Sequence, residues 1–123
     1  MPGRGLESAQ EELQRDFAER HNIVCIVDYN RIQLDGFTKD ILDLEPLTDK
    51  WKAFGWHTLS IDGHDIAALQ AAFAEAEATK GKPTCIIANT VKGKGVSFME
   101  NNPKYHGVAP TQDELEKALQ EIG

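Results

Sequence analysis

The chain of 123 residues is short of everything that marks a secreted or membrane protein. Cys25 and Cys85 are its only cysteines, so no disulfide framework can be drawn from it. Each lies inside an apolar, strand-like run. They read as buried thiols of a reducing compartment, or as two inward-facing cysteines on neighbouring strands. No apolar run approaches the ~20 residues of a membrane helix, and the N-terminus lacks the basic-then-apolar order of a signal peptide. The expectation is a cytoplasmic protein with no membrane contact. Positive charge is also scarce: 13 Lys and Arg face 20 Asp and Glu, a net charge of −7. That excludes a general nucleic-acid or anionic-membrane binder, which needs a basic field over its contact surface, but leaves room for a local basic patch. There is no Ser/His/Asp set, no cysteine metal site, no Walker A sequence, no internal repeat and no low-complexity tract.

What is present fits one α/β domain over residues 1–123. Leu6, Ala9, Leu13 and Phe17 draw one helical stripe, with Ser8 and Glu11 as a capping box. Ile23 to Val27 is a continuous apolar run, read as a strand covered on both faces, central to the fold and ending abruptly at Asp28. A polar connection follows, turning at Asp35-Gly36, to a short helix capped by Thr48, carrying Trp51 and Phe54 and stopped by Gly55. Trp56 to Ile61 is a second strand. Asp65 or its neighbour then opens a helix whose buried stripe is Ile66, Leu69, Phe73 and Ala76. Thr84 to Ala88 is a third strand, residues 89–110 a glycine-rich loop, and Thr111 with Glu114 a capping box that starts a helix with Leu115, Ala118, Leu119 and Ile122 on one face.

The alternation of helix and strand predicts a parallel sheet with flanking helices. Open parallel sheets bind ligands beyond the carboxyl ends of their strands, which draws attention to Asn30, His64 and Lys92. On the residues alone each has a plain reading beside a functional one. Asn30 is a turn asparagine bonding its own backbone. Lys92-Gly93-Lys94-Gly95 is a solvated turn, or a place where backbone and ammonium groups meet an anion. His64, between Asp62 and Asp65, opens a helix that the carboxylates cap. His106 is an ordinary loop imidazole.

Together the segments carry more. Ile26-Val-Asp-Tyr-Asn-Arg-Ile-Gln-Leu-Asp-Gly36, Leu44-Glu-Pro-Leu47, Lys50-Trp51, Trp56, Ile61-Asp-Gly-His-Asp65, Lys82-Pro-Thr84, Thr90-Val-Lys-Gly-Lys-Gly-Val-Ser-Phe-Met-Glu-Asn101 and Tyr105-His-Gly107 resemble the transketolase family. More narrowly, they resemble the amino-terminal subunit of bacterial and archaeal transketolases split into two chains. The resemblance runs from Asn22 to about Ile122 and corresponds to the back half of the domain that binds the diphosphate of thiamine diphosphate. It implies transfer of a two-carbon ketol unit between sugar phosphates, with thiamine diphosphate and Mg²⁺. It also implies metal ligation by the Asn30 side chain and the Ile32 carbonyl, Lys92 beside the diphosphate, and His106 near cofactor and donor sugar.

The departures matter equally. Gly3-Arg4-Gly5-Leu6 stands roughly where the family has Gly-Asp-Gly-Glu, so Arg4 replaces a metal-binding carboxylate. A like charge at ~4 Å costs on the order of 1 to 4 kcal/mol in water-like to surface-like dielectric, which weakens the site. The glutamate that activates the thiazolium ring belongs to a partner domain. The expectation is therefore a truncated transketolase-like domain, inactive alone, that works with a separate subunit. The alternative is a non-catalytic binding or oligomerisation module, including a homo-oligomer, built on the same fold.

Overall fold

The computed structural model describes residues 23–123. The expected helix of Leu6 to Arg20, its Ser8 and Glu11 cap, and Arg4 lie outside the described residues. The described residues divide into two compact units: residues 23–27 with Pro46–Ala88, and Asp28–Glu45 with Asn89–Gly123.

The first unit is built on a three-stranded sheet in the order β1-β5-β4, with β1 at Val24–Tyr29, β4 at His57–Asp62 and β5 at Thr84–Asn89. The Thr84 N–H donates to the Ile23 carbonyl (3.0 Å) and the His57 N–H to the Pro83 carbonyl (2.9 Å). All three strands therefore start from the same end, and the sheet is parallel, an α/β arrangement with flanking helices as expected. Its centre is β5, where Thr84 to Ala88 are all buried and Cys85 and Ile86 are wholly inaccessible. A run covered on both faces belongs there. The expected central strand, β1, is instead an outer member of this sheet, with Val24 42% and Ile26 51% exposed. Continuous β-branched runs read alike in middle and outer strands, because periodicity cannot report how many neighbours a strand has. Nor does β1 stop at Asp28; it continues through Tyr29, which is buried.

Parallel register sets Thr84 opposite Val24 and hence Cys85 opposite Cys25. Both thiols are free rather than bridged, as expected, but only Cys85 is buried; Cys25 is half-buried. Burial, and then the neighbouring Cys25, push the Cys85 thiol up to about 12.

Helix α2, Leu47–Ala53, follows Pro46, and no side chain caps it; Thr48 lies inside the helix rather than before it. Pro46 holds the N-cap position, and its ring has no acceptor to offer the N–H groups of the first turn. Gly55, at φ 87°, ends this segment as predicted. Helix α3, Ile66–Ala78, is capped by Asp65, whose side chain accepts from the Ala67 and Ala68 N–H groups. Its buried positions are Ala72 and Ala76, while Ile66 and Phe73 are 67% and 45% exposed. The expected stripe holds at Ala76 and at half-buried Leu69 and fails at Ile66 and Phe73, with Ala72 taking the buried place beside them: small alanines let a helix lie close to its neighbour, and weighting by side-chain size overlooks them.

The second unit contains two elements the sequence reading missed. An antiparallel hairpin joins β2, Ile32–Gln33, to β3, Gly36–Phe37, and the short helix α1, Thr38–Ile41, follows it directly. Both are too short for periodicity to register. Beyond β5 the chain makes successive turns to a 3₁₀ turn at Pro103–Tyr105 and helix α4, Gln112–Ile122. The α4 capping box is formed as predicted: Thr111 accepts from the Glu114 N–H and the Glu114 carboxylate accepts from the Thr111 N–H. Of its predicted face only Ala118 is buried, with Leu115, Leu119 and Ile122 at 40%, 54% and 59% exposure. Among the described residues, no helix is long and apolar enough to cross a membrane.

Candidate functional site

Within the second unit a cleft of about 500 Å³ is lined by residues from three sequence segments, among them Tyr29, Asn30, Arg31, Thr38, Thr90 and Asn101. Local chemistry fixes each wall. The Tyr29 hydroxyl donates to the Glu45 carboxylate (2.9 Å), and burial, then Glu45, raise the phenol above its ordinary value. The Thr90 N–H donates to the Tyr29 carbonyl (3.3 Å), and the Thr90 hydroxyl to Asp28. These bonds hold the segment after β5 beside the end of β1.

The turn between β1 and β2 carries the two predicted metal ligands. The Asn30 Oδ1 accepts from the Ile32 N–H (2.9 Å), the self-bonding turn that its residue type suggests. The hairpin then decides where the Ile32 carbonyl faces. The Thr38 N–H donates to the Arg31 carbonyl (2.8 Å), so Arg31 opposite Thr38 is a hydrogen-bonded pair. Antiparallel ladders alternate, so the next pair, Ile32 opposite Phe37, is non-bonded, and the N–H and C=O of Ile32 both turn away from β3. The N–H meets Asn30 Oδ1, which puts the Ile32 carbonyl on the strand edge occupied by that side-chain oxygen.

Of the four predicted site residues, only Asn30 lines the cleft. Ile32 is half-buried one residue beyond Arg31. Lys92 is half-buried in the turn after Val91, and its carbonyl accepts from the N–H of Asn101, a lining residue (2.9 Å). His106 is exposed just after the 3₁₀ turn. Gly93 serves a packing need rather than a ligand approach: it holds φ 72°, and a Cβ there would meet the Met99 Cβ and carbonyl oxygen at 2.7 Å. His64 belongs to the first unit, where its N–H donates to Asp62 at the turn before α3, as the plain reading expected. Among the described residues, no group of three or more His, Cys, Asp or Glu is placed to hold a metal.

Sequence reasoning placed Arg31 just past the first strand, where a parallel sheet puts its ligands, but missed its left-handed backbone and missed Asn101. They are the non-glycine residues with positive φ among those described, at 60° and 52°, and both line the cleft. Asparagine tolerates that conformation and gives a weak signal; arginine gives none.

The family described as "Transketolase, thiamine diphosphate binding domain" matches residues 11–123. The 6-deoxy-6-sulfo-D-fructose transketolase subunit of Clostridium sp. (strain MSTE9) is 44% identical over 101 residues, covering 82% of this chain and 37% of that protein. An apulose-4-phosphate transketolase subunit from Actinobacillus succinogenes is 46% identical over 101 residues, covering 82% and 36%. The crystal structure of transketolase from Campylobacter jejuni superposes with a TM-score of 0.77 at 30% identity, over 85% of this chain and 16% of that one. The chain belongs to the transketolase family, within its thiamine diphosphate-binding domain. It spans little more than a third of the length of these two curated relatives.

Proposed function

We propose that this chain supplies part of the diphosphate-binding half of a split transketolase, with Asn30 Oδ1 and the Ile32 carbonyl holding Mg²⁺. The observation that carries the reading is the hairpin alternation that puts those two oxygens on one strand edge. The donor set suits the ion. Mg²⁺ takes hard oxygen ligands and keeps several positions for phosphate oxygens and water, so two neutral protein donors fit an ion already bridged by a diphosphate.

Thiamine diphosphate, when bound, supplies the carbanion chemistry of ketol transfer. This chain's residues would bind and orient it. Asn30 and Ile32 would hold the metal, Lys92 would add a cation for the diphosphate, and His106 would be the catalytic histidine near cofactor and donor sugar. If Arg4 replaces the family's carboxylate, as the resemblance of Gly3-Arg4-Gly5-Leu6 implies, it would weaken metal binding. The relatives whose names call them subunits support a second chain as partner, which would bring the activating glutamate. Incubated alone with cofactor, Mg²⁺, a ketose donor and an aldose acceptor, the chain is expected to transfer nothing. Clear turnover would overturn the reading.

A second reading, a self-associating module that keeps the fold without the chemistry, draws on the apolar surface of Trp51, Phe54 and Trp56, where Phe54 is 79% exposed. A solution mass that rises with concentration would favour it; a monomer at all concentrations would remove it.

A further inference from the structure

Between the two proposed metal-binding oxygens sits Arg31, which is bonded to three other segments of the unit. Its carbonyl accepts from the Thr38 N–H (2.8 Å), tying the turn to the start of α1. Its Nη2 donates to the Asn89 side-chain oxygen (2.9 Å), tying it to the end of β5. Its guanidinium stacks over the Tyr29 ring, 4.6 Å from the centroid, tying it back to β1. The backbone at φ 60° turns the chain sharply at this one residue, so that Asn30 folds back on the Ile32 N–H. A left-handed backbone is disfavoured for arginine, so the surrounding bonds hold it there.

We propose that Arg31 is a positioning residue, whose clamp on Asn89 and Tyr29 keeps the Asn30 side-chain oxygen and the Ile32 carbonyl on one edge of β2. The proposal rests on the metal-site reading for its purpose, but the clamp itself is a property of this chain. Arginine rather than lysine is required, because the planar fork can donate to Asn89 while its face stacks on Tyr29; an ammonium cannot do both. A guanidinium committed in this way shapes the site, whereas one serving only as a charge for the diphosphate would be replaceable by lysine.

The test uses the full chain and two variants. Arg31→Asn keeps a residue type that tolerates positive φ but loses the clamp; Arg31→Lys keeps the charge. Amide hydrogen exchange at Ile32 reports the Asn30 bond directly, with Ile86 in the core strand as the control for global stability. Losing one charge-assisted hydrogen bond and one cation–π contact should speed Ile32 exchange by roughly tenfold in both variants and leave Ile86 unchanged. Mn²⁺ uptake with thiamine diphosphate, followed by electron paramagnetic resonance, should weaken by a similar factor in both. Unchanged Ile32 exchange in Arg31→Asn, or full restoration by Arg31→Lys, overturns the proposal. If the unaltered chain takes up no Mn²⁺, the metal-site reading fails, and the exchange arm still decides the clamp.

Discussion

Replacing Gly93 by alanine is the substitution whose cost the structure sets most clearly. The residue holds φ 72°, and an added Cβ would lie 2.7 Å from both the Cβ and the carbonyl oxygen of Met99. Two penalties combine. A left-handed L-residue costs roughly 1–2 kcal/mol. Forcing a methyl group against a backbone oxygen, which cannot swing aside as a flexible side chain would, adds roughly 1–3 kcal/mol. The turn is crowded by its own bonds, with the Val96 N–H on the Gly93 carbonyl and the Asn101 N–H on the Lys92 carbonyl, so it cannot easily yield. Gly81 provides the control: it has φ 83°, and an added methyl group would find nothing within 4 Å, so Gly81→Ala carries the conformational penalty alone. Urea unfolding of the two variants should show Gly93→Ala the less stable by about 1–3 kcal/mol. Equal destabilisation would refute the close approach to Met99, and with it the account of why glycine stands beside Lys92.

Other substitutions test other parts of the fold. Asp65→Ala removes the oxygen that accepts from Ala67 and Ala68 and should cost about 1 kcal/mol in urea unfolding, with Asp65→Asn recovering most of it. Iodoacetamide should label half-buried Cys25 well before Cys85, whose thiol is inaccessible and raised to about 12; equal labelling of the native protein would contradict that burial. Glu114 is held below its ordinary value of 4.5, chiefly by the Thr111 backbone N–H and then by the Tyr105 hydroxyl. A depressed carboxylate stabilises the fold above its unfolded value and loses that contribution as pH falls through the folded one. Glu114→Gln should therefore flatten the acid side of the stability curve below about pH 4.5, and an unaltered acid limb would count against the bond to Thr111.

How much of this was readable in advance depended on range. Side-chain caps two or three residues from their targets, Asp65 and Thr111, were legible because the donor and acceptor are neighbours in sequence. The α/β layer was legible from the alternation of helical and strand runs. The rank of the strands was not, since the Ile23 to Val27 and Thr84 to Ala88 runs differ in their neighbours rather than in their residues. At the site, Asn30 announced a turn, and its resemblance to a family ligand singled out Ile32 as well. The reason those two oxygens share an edge was invisible, because it lies in the pairing of the short hairpin from Ile32 to Phe37 and in a left-handed arginine bonded to Asn89, 58 positions away.

Whether Asn30 and Ile32 hold Mg²⁺ against a diphosphate is decided by calorimetric titration with thiamine diphosphate, with and without Mg²⁺, on the unaltered chain and on Asn30→Ala. Binding should be weak, require Mg²⁺ and disappear in Asn30→Ala. Binding that ignores Mg²⁺, or an Asn30→Ala protein that binds as well as the original, would contradict that role.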